Sequence, residues 1–166
     1  MHHLPPQIHS IYIAKAAGAL MEQIQSAAII AGTGIEGDRY AAGIGAFSIS
    51  KPKIRHISLI TLSGIEDANQ LLLSNGRTSF LASETRRNIL IENLSADALN
   101  NLVGKTFYLG GLKFRGTELC VPCQRPANLL AKQDFLKAFD GKGGLRAEAL
   151  ESGILLPNHP LEIPTE

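Results

Sequence analysis

Residues 106–123 read TFYLGGLKFRGTELCVPC, and the order of signals inside them decides which folds the chain can adopt. Thr106 to Leu109 and Leu112 to Thr117 are short β-prone runs on either side of Gly110-Gly111. That two-residue loop permits positive φ at both positions and reads as a tight hairpin. The hairpin leads straight into Cys120-Val121-Pro122-Cys123. A C-x-x-C pair suggests a thioredoxin-like redox site when it accompanies a βαβ pattern. A hairpin stands ahead of it here, which speaks against that fold.

The two cysteines are the only ones in the chain, so a disulfide-stapled framework is out of reach. Structural zinc needs four ligands, and His2, His3, His9, His56 and His159 supply no H-x3-5-H pair to complete two sulfurs. Three readings of the thiols remain: buried and unreactive, a dithiol redox pair, or a thiolate for a soft metal. Pro126 sits where a first-turn proline is tolerated, and ANLLAKQDFLKAF continues as a helix to about residue 139. Cys123 then lies near a helix start with Arg125 two residues on. That electropositive setting favours thiolate, which soft metals such as molybdenum bind.

Outward from this stretch the apolar runs are mostly short, β-branched and broken by glycine, which favours strands. Residues 8–13, 27–30, 55–61, 88–92, 145–150 and 154–163 read as further strands, with RHISLIT (55–61) alternating as if half-buried. A glycine-studded loop is expected from Gly32 to Gly45. Ser63-Gly-Ile-Glu66 has the spacing of a capping box and predicts a helix over 64–74. Ser95 predicts a second, short helix ended by Gly104. The expected fold is mainly β and barrel-like, one domain over residues 1–166, with about three inserted helices.

Composition fits that picture. With 45% apolar residues, a chain of this length buries roughly 70% of its unfolded surface without staples. A formal charge of +1 and the lack of a basic run predict no nucleic-acid partner. The polar, proline-bearing opening is no secretory leader, and no apolar run approaches the roughly 18 residues of a membrane span. The expected location is the cytoplasm.

Three more stretches place polar groups beside glycine. In GIEGDRY (34–40), Asp38 and Arg39 can present a carboxylate and a guanidinium from one turn. An ordinary glycine-rich turn reads the same way. In ETRRN (84–88), Arg86 and Asn88 are two apart, so on an extended chain they share a side and suit a phosphate or a carbonyl-rich ring. Arg87 would face away, and solvated arginines are the plain alternative. In KGGLRA (142–147), a double glycine and Arg146 suit an anion, or simply end a helix.

GIEGDRY, RRNILIE, VGKTFYLGGLKFRGTELCVPCQRP and GGLRAEALESG stand in the order and spacing of the MOSC family, which this sequence resembles from about Gly34 to Ile163. The name denotes the domain at the C-terminus of molybdenum cofactor sulfurases and in free-standing bacterial proteins. The resemblance implies a β-barrel related to that of pyruvate kinase, and molybdenum cofactor (molybdopterin) as ligand. The family's cysteine, the one after proline in P-C-x-[KR], matches Cys123. In the amidoxime-reducing relatives that cysteine is the protein ligand to molybdenum, so Cys123 is the expected metal ligand and reactive residue. Their Arg-x-Asn contacts the cofactor and falls on Arg86 and Asn88.

On this reading Arg86, Asn88, Arg125 and Arg146 would hold the pterin phosphate and the oxo or sulfido groups by charge-assisted hydrogen bonds, and Asp38 and Arg39 would shape the pocket rim. The implied chemistry is reduction of N-hydroxylated compounds with an electron-donor protein, or sulfur or cofactor carriage with a cysteine desulfurase as partner. The pyridoxal phosphate half of the sulfurases has no counterpart here. Two departures are evident. Only about 30 residues precede GIEGD, where the reductases carry an extra barrel segment. The closing Gly-Asp is replaced by Asn158-His159.

Overall fold

A computed structural model of the chain describes residues 4–43, 45, 54–120 and 135–165. Eleven strands are present among them: β1 (Gln7–Ile13), β2 (Glu22–Ile24), β3 (Ala27–Ile30), β4 (Gly34–Ile35), β5 (Ile57–Thr61), β6 (Ile89–Glu92), β7 (Thr106–Leu109), β8 (Leu112–Leu119), β9 (Leu145–Ala149), β10 (Gly153–Leu155) and β11 (Leu161–Glu162). Eight form one sheet in the order β11-β7-β8-β9-β5-β6-β1-β2, and β10-β3-β4 form a second. Pairing is antiparallel except for β5 and β6, which are joined by α1 (Leu62–Ser74) as a crossover.

The large sheet curls until its ends meet. The amide of Ile8 donates to His159 O (2.9 Å), Asn158 N to Ile8 O (2.7 Å) and Leu161 N to Pro6 O (3.0 Å), which ties β1 to the strand beyond β7. Closure of this kind removes the edges that an open sheet would expose. Inside lies one apolar cluster that includes Ile8, Ile11, Leu59, Ile89, Ile91, Phe107, Phe114 and Leu145. Phe107 and Phe114 are register partners across the hairpin, with ring centres 5.9 Å apart. The hairpin is the one read from the sequence, with positive φ at both Gly110 and Gly111.

A second cluster lies outside the barrel, where α1 packs Ile65, Ala68 and Leu72 over Ile60 and Leu90, with Phe80 and Phe139. Ile60 faces α1 while Leu59 faces the interior, so β5 is covered on both sides rather than half-buried. A strand beneath a crossover helix has that property.

Several expectations change. The first helix begins at Leu62, and its cap is Thr61, whose Oγ1 accepts from Gly64 N at 3.1 Å. Ser63 instead donates to Leu94 O at 2.9 Å, so the 63–66 box does not form. The second helix, Ala96–Asn100, is capped by Ser95 as expected. Two helices rather than three stand among the described residues, with one further turn at Phe135–Ala138; the rest of the stretch expected to be helical lies outside them. The loop from Gly32 to Gly45 contains β4. The single strand expected over 154–163 divides into β10 and β11, one in each sheet. Asn158 takes φ 73° at the turn between them, and His159 Nδ1 accepts from Leu156 N at 3.1 Å. Asparagine tolerates the left-handed region better than most residues, so this pair supplies both the backbone turn and the side-chain acceptor that the loop needs.

Candidate functional site

One mouth of the barrel gathers the described polar residues that the sequence singled out. It lies along one level of the sheet, where Ser58 of β5 is level with Asn88 just before β6 and with Arg146 of β9, and Arg146 in turn with Glu118 of β8. Asp38 is fully buried in the turn after β4. Its Oδ1 accepts from Ala14 N (3.1 Å) and Arg39 Nη1 (3.0 Å), and its Oδ2 from Tyr40 N (3.3 Å). Arg39, only 6% exposed, also donates to Arg86 O at 3.4 Å, reaches Met21 Sδ at 3.6 Å and lies 4.8 Å from the centre of the Tyr40 ring. The carboxylate thus ties its own turn to the end of β1, and Arg39 carries the link on to Arg86 and Met21.

Arg86 and Asn88 do not form the same-side pair that an extended chain would give. Arg86 ends a 3-10 turn, Ala82–Thr85, with φ 63°, and β6 starts only at Ile89. A left-handed residue breaks the two-residue alternation on which that expectation depends. The guanidinium of Arg86 crosses to the loop after β1 and donates from Nη1 to Ala19 O at 2.7 Å. Asn88, 3% exposed, accepts at Oδ1 from Ser58 N (3.0 Å) and pairs with Ser58 Oγ (3.2 Å), while its Nδ2 donates to Tyr12 O (3.1 Å). Its amide fastens β6 to β5 and β1 at the mouth. Arg87 does point elsewhere, donating from Nε to Gly143 O at 2.7 Å.

Arg146 stands near the start of β9 and donates from Nη1 to Glu118 Oε1 at 2.7 Å. The adjoining Gly144 must be glycine, because it has φ 103° and a Cβ there would lie 2.1 Å from Leu59 O. Its carbonyl accepts from Cys120 N at 2.8 Å, fixing the end of β8. Cys120 is buried, with 3% of its surface exposed. Cys123 and Arg125 lie outside the described residues.

Arg55 belongs to this mouth and was missed. Burial pushes its pKa down, and so does the neighbouring Arg146; Tyr40, Glu118 and Cys120 act the other way. It therefore lies within electrostatic range of Tyr40 and of the Arg146–Glu118 pair. No local signal marks it, because residues 54–56 precede β5 and Arg55 comes within range of Arg146 and Glu118 only through the pairing of β9 with β5 and β8. Among the described residues, four guanidinium groups (Arg39, Arg55, Arg86, Arg146) share this region with two carboxylates (Asp38, Glu118). Among the described residues no group of three or more His, Cys, Asp or Glu is placed to hold a metal ion, and no helix is long and apolar enough to cross a membrane.

Comparison with known proteins agrees with the architecture. The fold matches that of the YuaD protein from Bacillus subtilis, with TM-score 0.75 and 18% identity over 96% of this chain and 95% of that one. It also matches YiiM from Geobacillus stearothermophilus (TM-score 0.70, 19% identity, 97% and 76% coverage). YiiM from Escherichia coli gives TM-score 0.70 and 14% identity over 98% and 71%. A search among curated proteins finds no match. The family model described as "MOSC domain" matches residues 33–158, a span that begins one residue before β4 and closes at the Asn158 turn. The chain belongs to the MOSC domain family.

Proposed function

We propose that this protein binds molybdenum cofactor at the arginine-rich mouth, with Cys123 as the thiolate that holds the metal or carries sulfur to it. The family is one associated with that cofactor. The observation that carries the reading is the convergence of Arg39, Arg55, Arg86 and Arg146 on the barrel end from which the C-x-P-C segment departs. A phosphate-bearing pterin is anionic, and guanidinium forks suit its oxygens. The charge of the mouth fits such a group.

The residues divide by role. Arg55, Arg86 and Arg146 supply donors for phosphate and metal-bound oxygen or sulfur, joined by Arg125 in the segment beyond Cys120. Arg39 is engaged by Asp38, and Asn88 by Ser58 and Tyr12, so these three hold the mouth's backbone in place. Three residues of chain reach at most about 11 Å, so a thiol at 123 stays within range of the end of β8. When bound, the cofactor supplies two-electron chemistry at the metal, while the protein ligates and orients. A cytoplasmic place, an electron-donor protein or a cysteine desulfurase as partner, and a small N-hydroxylated substrate all belong to the same reading.

The burial of Cys120 weighs against a dithiol oxidoreductase, because reactive thiols occupy partly exposed, electropositive positions. The decisive measurement is molybdenum content with pterin fluorescence on protein made in a cofactor-producing host. Cys123→Ser should abolish metal retention, and Cys120→Ser should leave it. Equal loss from both, or insulin reduction by metal-free protein, overturns the reading. A loaded protein that reduces no N-hydroxylated compound with any donor is a carrier.

A further inference from the structure

The approach to β9 is rich in glycine: Gly141, Gly143 and Gly144 stand in the stretch that precedes Leu145. Glycine loses more conformational freedom on folding than any other residue, so such a stretch keeps its course only where other groups hold it. Three of its carbonyls are held. Asn100 Nδ2 donates to Gly141 O at 3.0 Å, at an exposed position. Arg87 Nε donates to Gly143 O at 2.7 Å, and Gly144 O accepts from Cys120 N at 2.8 Å. Gly143 and Gly144 are buried and Arg87 is half-buried, so water competes less for the Arg87 bond than for the Asn100 bond.

Gly144 is the joint. Leu145 pairs with Leu59 on one side and with Leu119 on the other, so β9 opens between β5 and β8. A shift of the peptide at Gly143 passes to the next residue, and from its carbonyl to the amide that follows the last residue of β8. A guanidinium suits the bond that prevents such a shift. It can donate from Nε while its charged fork stays hydrated, and a charged donor strengthens a bond to a peptide carbonyl.

We propose that Arg87 is a positioning residue: through Gly143 and Gly144 it fixes Cys120 just beyond β8, and with it the origin of the segment that bears Cys123. The side chain between Arg86 and Asn88, which the sequence sets aside as facing away, links the approach to β6 with the thiol-bearing segment. This deepens the cofactor reading and rests on it only for the step from Cys120 to the metal.

The reporter is Cys120 in a Cys123→Ser chain, where it is the one remaining thiol. Being buried, it reacts with iodoacetamide under native conditions only when the chain around it opens, at a rate that follows the open population. Arg87→Ala should raise that rate about tenfold or more, the scale of a lost hydrogen bond to a charged group. Arg87→Lys keeps a cationic donor and should return the rate to near that of the parent, and Asn100→Ala should leave it there. Local opening depends weakly on urea, and global unfolding steeply. An unchanged rate in folded Arg87→Ala overturns the proposal. So does an equal rise from Asn100→Ala, a failure of Arg87→Lys to restore the rate, or a rise with the urea dependence of global unfolding. If Arg87→Ala does not fold, Arg87→Met, which keeps the stem but lacks a donor, carries the same expectation. With Cys123 intact and protein made in a cofactor-producing host, Arg87→Ala should lower molybdenum retention and Arg87→Lys should restore it. Faster labelling with full retention overturns the positioning role. No retention in the parent chain removes the cofactor reading alone, and the labelling of Cys120 still decides whether Arg87 holds the end of β8.

Discussion

Replacing Asp38 by alanine separates a scaffold role for that carboxylate from a ligand-facing one. The side chain is fully buried and accepts from Ala14 N, Tyr40 N and Arg39 Nη1. Its removal strands the Arg39 charge, whose other acceptors among the described residues, Arg86 O at 3.4 Å and Met21 Sδ at 3.6 Å, are long. Breaking one side of a buried pair costs about 3–5 kcal/mol. Two backbone amides also lose an acceptor, about 1 kcal/mol each before water enters. We expect a net loss of about 4 kcal/mol, a large share of the roughly 5–15 kcal/mol available to a domain. Asp38→Asn keeps an acceptor and should lose about half as much. Adding Arg39→Met to Asp38→Ala should recover part of the loss, because the stranded charge is then gone. Urea unfolding reads the effect as a lower midpoint at unchanged slope. A loss below about 1 kcal/mol for Asp38→Ala, well short of a broken buried pair, would refute the scaffold role and return the carboxylate to the pocket rim.

Two further predictions concern the frame around the site. His56 accepts at Nδ1 from Ala149 N at 3.0 Å, and burial lowers its pKa against a smaller opposing effect of Glu148. The unfolded chain therefore binds the proton more readily, so this contribution is complete above the ordinary histidine pKa of about 6.5 and is lost as pH falls below it. His56→Gln, which keeps an acceptor but does not titrate, should flatten that part of the stability profile; an unchanged slope would sink the assignment. At α1, Thr61→Ala should cost about 1 kcal/mol, whereas Glu66→Ala should stay within about 0.5 kcal/mol because Glu66 is exposed and outside the cap. Thermal unfolding showing the reverse order would restore the capping box that the sequence suggests.

Local chemistry was legible in the sequence where neighbours in the chain decide the outcome. The Gly110-Gly111 turn, the Ser95 cap and the runs that became β1, β3 and β6 to β9 follow from nearest-neighbour geometry and alternation. The family was legible from four motifs in series, even though the structural neighbours share under a fifth of its residues. Contacts between distant segments were not legible. Thr61 rather than Ser63 caps α1 because Leu94 O, thirty-one residues from Ser63, takes the serine hydroxyl. The last strand divides because its two halves find partners in different sheets, β3 and β7. Arg86 leaves the extended region at the end of its 3-10 turn, and its guanidinium then crosses to Ala19 O. Arg55 acquires its place only when β9 pairs with both β5 and β8 and brings segments far apart in the chain side by side. Composition and spacing name the side chains and the conformations each can take, but a charge constellation depends on through-space distances, and those exist only after the sheet has closed.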